Sequence, residues 1–364
     1  LKENFIYIIF SIYFLAQTPG LIYTENNYEN IYLIFSAITA ILTIILIEEY
    51  FSKDEKKIFL LISFFILLTV FIASIIPQMK LFFKGEQVFY GSLVRNSEIF
   101  LYKDSPRSSG SSRTCLLLII LFFILENCLF KNKRFLTKPF IIFLLSMILL
   151  YQSRTIIFIS IIIFTLIFIY ENNFSIKKIF KFISFYLILP LLIFIILINF
   201  FAHQNQEFRK NQIIESQEIP QSKKQARLDS IEKDFKTRTI SSFSSGRFND
   251  WNEIYKKFSV ENIFFGYGSQ ADRFLINQNA HNALIYAISS SGIFGAIFFV
   301  FFSLIVLQKI SRYIIFFKQT DINNYLMSLI ILIIFLRSLL ETSYSVYGID
   351  FMILMTSVLL INNL

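Results

Sequence analysis

The stretch I58-F-L-L-I-S-F-F-I-L-L-T-V-F-I-A-S-I-I-P77 decides the architecture. It carries no charged side chain, and a helix of about 20 such residues covers roughly 30 Å of hydrocarbon. Outward from it, apolar runs recur at about 4–23, 31–51, 114–130, 138–151, 155–170, 179–201, 283–307, 323–341 and 349–362. Of the 364 residues, 55% are hydrophobic and 16% charged, against about 25% charged in soluble domains. The pattern predicts an all-α polytopic membrane protein with about ten transmembrane helices. A cytosolic enzyme, a disordered tail and a disulfide-rich secreted module are excluded.

Lys and Arg in short loops resist translocation and so set orientation. Basic residues cluster in Lys53–Lys57, Lys131–Lys138, Lys177–Lys181 and Lys309–Lys318, all on one side if the N-terminus is cytoplasmic. The other side receives the Glu25–Glu29 segment, loops at about 78–113 and 202–282, the Gln152–Arg154 turn and Glu341–Asp350. The chain is thereby expected to divide into N-terminal spans with a first large external loop (1–113), central spans (114–201), a long extracytoplasmic loop (202–282) and C-terminal spans (283–364). The net charge of +9 is partly topogenic and is not read as nucleic-acid binding. The chain begins with Leu1, which suggests an alternative start or a missing N-terminal segment, and no cleavable signal peptide is evident. Cys115 and Cys128 lie roughly 20 Å apart along one helix and cannot pair. The abundance of Phe reads as compositional drift rather than a binding surface.

Two large external loops place the working surface outside the cytoplasm. In the longer one, Leu228, Ile231 and Phe235 recur at helical spacing within Ser222–Lys236, an amphipathic helix over the membrane entrance. A second short helix is expected from Asn249 to Phe258, with Trp251, Ile254, Tyr255 and Phe258 on one face and Arg247 at or just before its first turn. A lipid-linked substrate needs cations where its phosphates sit, and the arginine fork binds phosphate oxygens bidentately. Arg154, in Q-S-R-T between two runs, stands at the outer bilayer edge, as a phosphate ligand or a snorkelling anchor. Arg247, in S-S-G-R-F-N-D-W, precedes a helix start that favours anions, unless it is a solvated loop charge. Arg337 and Glu341 are spaced i, i+4 on the ninth run, a substrate contact or a structural ion pair.

His281 opens the helix in N-A-H-N-A-L-I-Y, directly after the long loop. A neutral imidazole there can accept a proton from a sugar hydroxyl, or it can simply cap the helix. His203 reads as an interfacial loop residue. No D-x-D, Walker loop, H-E-x-x-H or G-x-S-x-G occurs, and Glu25 with Glu29 is the one weak acidic metal pair.

The order of these features is specific: Arg154 between two runs, a long loop holding S-G-R…W, then F265-G-Y-G268, then His281-Asn282 followed nine residues later by Gly292-x-x-Gly295. With Pro106–Arg113 as a first external loop, the chain resembles the O-antigen ligase and O-antigen polymerase family of bacterial inner-membrane proteins from about residue 105 to 345. The resemblance implies an inverting glycosyltransferase that needs no metal or other cofactor and faces the periplasm. Its donor would be an undecaprenyl-pyrophosphate-linked glycan, and its acceptor lipid A–core for a ligase or a growing glycan for a polymerase. Arg154 and Arg247 then match the pyrophosphate-binding arginines and His281 the catalytic base. Arg337, Glu341, Arg107 and Arg113 are possible substrate contacts. A lipid-linked sugar flippase is the competing expectation, although paired halves and broken helices, the usual transporter signs, are not seen as an internal repeat.

Overall fold

A computed structural model describes residues 2–23, 27–83, 108–129, 134–151, 153–171, 182–197, 199–200, 247–259, 262–276 and 279–361. The Ser222–Lys236 helix, Arg107, Glu25, His203 and the Lys177–Lys181 loop lie outside the described residues. Among those described, every regular element is helical and no strand occurs. Helices α1 (Lys2–Leu15), α2 (Asn27–Tyr50), α3 (Lys53–Phe83), α4 (Ser108–Leu129), α5 (Arg134–Leu150), α6 (Arg154–Glu171) and α7 (Ser184–Leu197) occupy the first seven apolar runs. Three short helices follow, α8 (Arg247–Lys256), α9 (Asn262–Phe265) and α10 (Ala271–Ile276). The last three runs form α11 (Ala283–Ile315), α12 (Ile322–Ser338) and α13 (Ile349–Leu360).

Among the described residues, five segments are long and apolar enough to cross a membrane: Asn4–Tyr23, Tyr28–Tyr50, Lys53–Pro77, Ser109–Cys128 and Ala283–Ile315. The other five apolar helices are shorter. The chain is a multi-pass membrane protein. Its basic clusters are in part helical rather than looped: Lys53–Lys57 open α3, Arg134 opens α5, and Lys309 and Arg312 extend α11 beyond the expected 307. Charged residues at helix ends continue the backbone hydrogen bonding while their heads reach water, so an apolar run underestimates helix length.

The chain forms two compact units, residues 1–63 with 244–364, and residues 64–243. In the first, α1 packs on α2 and α11, and α12 on α11 and α13. The interior is aromatic: Phe10 stacks on Phe302 at 3.9 Å, and Tyr344 on Phe299 at 5.1 Å. Tyr13 donates its hydroxyl to the Ser345 carbonyl at 2.8 Å, which satisfies a polar atom that would be costly in hydrocarbon. Outward, α2 exposes Tyr32, Phe35, Leu42 and Leu46, an apolar surface suited to lipid.

In the second unit, α4 packs on α5 and α6. Leu116 to Ile120 are buried, and Phe122 lies 4.5 Å from Phe140. The Ser146 hydroxyl donates to the carbonyls of Ile142 and Pro190 at 2.9 and 3.3 Å, which links α5 to α7. Cys115 is buried and Cys128 half-buried, both unbridged on α4.

Candidate active site

The site begins with a break in a helix. At Gly292 the backbone of α11 turns to φ 64° and ψ −170°, which interrupts the run of i to i−4 bonds. The carbonyls freed by the break accept instead from F-G-Y-G: Tyr267 N–H donates to Ser289 at 2.8 Å and Gly268 N–H to Ser290 at 2.9 Å. The approach is close enough that a Cβ on Gly292 would fall 2.2 Å from the Phe264 carbonyl, and one on Gly266 2.5 Å from Gly292 N. Glycine is required at both positions by contact and by positive φ. The two glycine motifs therefore form one joint, and Ala283–Ser291 is a short helix held separately from the long span after it.

That short helix presents the residues at its N-terminus. Asn282 caps it, its side-chain oxygen accepting from Leu284 and Ile285 N–H at 2.9 and 3.0 Å. The Asn282 amide group also donates to the Leu339 carbonyl at 3.0 Å, which ties the cap to the end of α12. His281, one residue earlier, has φ 53°, an uncommon conformation for a side chain that must be held by its surroundings. The surroundings are explicit. Trp251 Nε1 donates to the Ala280 carbonyl at 2.6 Å, and Ala280 N–H donates to Asp272 at 2.8 Å. Burial pushes the Asp272 carboxyl up, against the backbone donors that favour its charge. Beneath these bonds Ile254, Tyr267, Ala271, Leu275, Ala280 and Tyr286 form a small apolar core.

Arg247 is the first residue of α8. That helix is favoured by Asp250 in its first turn and Lys256 in its last, and by the Glu253–Lys257 pair at 3.4 Å. Of the apolar face expected there, Ile254 is buried and Trp251 and Phe258 half-buried, while Tyr255 turns outward and is 75% exposed. The helix packs through Trp251 and Ile254, Phe258 lies two residues beyond its end, and Tyr255 lies off the packed edge.

Glu341 joins the two candidate groups. Its Oε1 lies 3.8 Å from Arg247 Nη2 and its Oε2 3.4 Å from His281 Nδ1. All three side chains are between 13% and 18% exposed, partly desolvated but reachable. The His281 Nδ1 approach to Glu341 lacks hydrogen-bond alignment. Burial pushes the Glu341 carboxyl up, but the His281 imidazole and the charges of Arg337 and Arg247 more than reverse this and hold it below its ordinary range.

Arg337 does not share a helix face with Glu341, because α12 ends at Ser338 and Glu341 lies in the turn beyond. Its close ion pair is with Asp350 at the start of α13, which also accepts from Ser343 Oγ at 2.8 Å. Arg337 and Asp350 are buried, so the pair closes a polar gap between α12 and α13. The sequence reading missed Asp350, whose only mark was a charge next to an apolar run. It also missed Asn282, Trp251 and Asp272 as holders of His281.

Arg154 is the first residue of α6 and is exposed, and Arg113 is half-buried on α4, both in the second unit. Glu29 accepts from Gln270 Nε2 at 2.6 Å, and no group of metal-ligating side chains occurs among the described residues.

Residues 139–300 match a family model described as O-antigen ligase. No curated protein and no solved structure matches the chain. The matched stretch contains Arg154, Arg247, the F-G-Y-G joint, His281 and the Gly292 break. Through that stretch, somewhat under half of its length, the chain is similar to the O-antigen ligase family.

Proposed function

We propose that the protein is an inverting glycosyltransferase that moves a glycan from undecaprenyl pyrophosphate to an acceptor sugar hydroxyl at the periplasmic face of the bacterial inner membrane. The observation that carries this reading is the Glu341 carboxylate set between Arg247 and His281. A carboxylate facing Nδ1 favours the tautomer with the proton on that nitrogen, so Nε2 keeps its lone pair for a hydroxyl. The acceptor oxygen attacks the anomeric carbon and gives its proton to His281 Nε2. The bond from that carbon to the pyrophosphate oxygen breaks, and its electron pair stays on the leaving group. Arg247 meets the charge that develops there. Pyrophosphate leaves readily, so guanidinium charge supplies the stabilisation and no metal is invoked. The acceptor is lipid A–core if the protein is a ligase, or a second lipid-linked unit if it is a polymerase.

The test uses purified protein in nanodiscs with an undecaprenyl-pyrophosphate-linked repeat unit, in EDTA, offered lipid A–core or a second lipid-linked unit. Glycan should appear on one of them with inverted anomeric configuration. Absence of transfer to both, with movement of the lipid-linked unit across liposomes instead, would replace the enzyme with a flippase.

A further inference from the structure

Next to Arg247, Glu341 and His281 lies an aromatic pair that the reaction outlined above leaves unused. Phe248 follows Arg247 on the first turn of α8 and is 66% exposed. Its ring meets Trp251 edge to face, with centroids 5.1 Å apart and planes at 73°. Trp251 is fixed in turn by its bond to the Ala280 carbonyl, one residue before His281. A rigid aromatic corner therefore runs from beside the arginine to beside the histidine.

We infer that Phe248, backed by Trp251, is a sugar-binding subsite that stacks on the pyranose ring attached directly to the lipid pyrophosphate. This rests on the glycosyltransferase reading. In an inverting displacement the anomeric carbon lies between the attacking oxygen, at the base, and the leaving oxygen, at the phosphate ligand. With His281 and Arg247 sharing Glu341, the first sugar has to occupy the space next to both. A pyranose shows one face of C–H groups, and such a face is bound by an exposed aromatic ring with polar groups at its edge. Phe248 supplies the ring, and Arg247 and His281 supply the edge. Trp251 is the less exposed of the two and holds Phe248 in place, with its indole N–H already committed to Ala280.

The other occupant for an exposed Phe is the membrane interface, where aromatic side chains anchor helices. The two differ in what they recognise. Binding is measured for full-length protein in nanodiscs with undecaprenyl pyrophosphate bearing a single N-acetylhexosamine, and with undecaprenyl pyrophosphate alone. Phe248→Leu, which keeps apolar bulk and removes the ring, should weaken the glycosylated lipid about tenfold, the scale of one lost aromatic contact, and leave the bare lipid unchanged. Phe248→Tyr should bind both within about twofold of wild type. Equal loss of both lipids in Phe248→Leu, or wild-type binding of both, would overturn the subsite. Wild-type protein that binds neither lipid would overturn the glycosyltransferase reading itself, and the subsite with it.

Discussion

The two halves of α11 look alike by hydropathy and differ in what they bury. Before Gly292 the helix buries Tyr286 and otherwise small residues, Ala283, Ala287, Ser289, Ser290 and Ser291, and its backbone carbonyls serve the F-G-Y-G joint. After Gly292 it buries Phe299, Phe302 and Val306 and exposes Ile293, Phe294, Ile297, Phe301 and Leu304. The first half is shaped by contacts at hydrogen-bond distance, which tolerate little displacement. The second is shaped by apolar packing on one side and lipid on the other, and its lipid-facing side tolerates much. A continuous apolar run thus contains a positioning device and a span, and the break separates their tolerances.

The largest expected effect comes from removing the break. Gly292→Ala brings a Cβ to within 2.2 Å of the Phe264 carbonyl at a φ that disfavours any side chain. Backbone atoms cannot yield as a flexible side chain would. The variant should lose most of its monodisperse fraction in detergent size-exclusion chromatography. A normal elution profile would mean that the joint adapts and that the comparison between halves is wrong.

Next in size is the group the first half presents. His281→Ala should lower turnover by roughly 10²–10⁴-fold, the range for loss of a general base, with a smaller change in donor binding. His281→Gln keeps a hydrogen bond without the basicity and should be nearly as slow. Near-normal transfer by a well-folded Gln variant would leave His281 as an orienting group only.

What the sequence shows of all this follows from periodicity. Among the described residues each apolar run contains an apolar helix, because hydropathy needs no partner to be read, and Arg247 and His281 stand at helix starts because the polar-to-apolar change marks them. Contacts between distant segments leave no such mark. Trp251 to Ala280 and Tyr267 to Ser289 are backbone acceptances, to which any residue type could contribute the carbonyl. The i, i+4 spacing of Arg337 and Glu341 misleads because L339-L-E-T-S-Y-S-V-Y-G348 contains no breaker before Gly348, yet α12 stops at Ser338. The stop is tertiary: Asn282 takes the Leu339 carbonyl and Asp350 takes Arg337.

A third prediction sharpens the role of the shared carboxylate. Glu341→Gln should slow transfer by about 10–100-fold, the scale for losing a group that orients a reactive His. Its linkage to stability has a definite sign. The folded carboxyl titrates below its ordinary 4.5, so its contribution is complete above that pH and is lost as pH falls through the lower folded value. Wild type should therefore lose thermal stability below about pH 4.5 more steeply than Glu341→Gln, while the two run parallel near neutrality. Parallel curves throughout would mean that Arg247 and His281 do not hold Glu341 in the folded state.

The smallest effects compare the two halves directly, one substitution in each. Asn282→Ala removes the cap of the first half and its tie to Leu339, and should cost about 1–2 kcal/mol, read as a lower apparent Tm in nanodiscs. Activity should fall with it, because His281 is the next residue. Ile297→Ala, in the second half, removes more apolar volume from a side chain that is 59% exposed. In water such a loss would matter, but lipid tails replace the missing contacts at little cost, since hydrocarbon is as apolar as isoleucine. Its effect should stay within about 0.5 kcal/mol with normal transfer. If Ile297→Ala destabilises as much as Asn282→Ala, the exposed side of the second half is covered by protein rather than lipid, and it is then not the tolerant region that the comparison makes it.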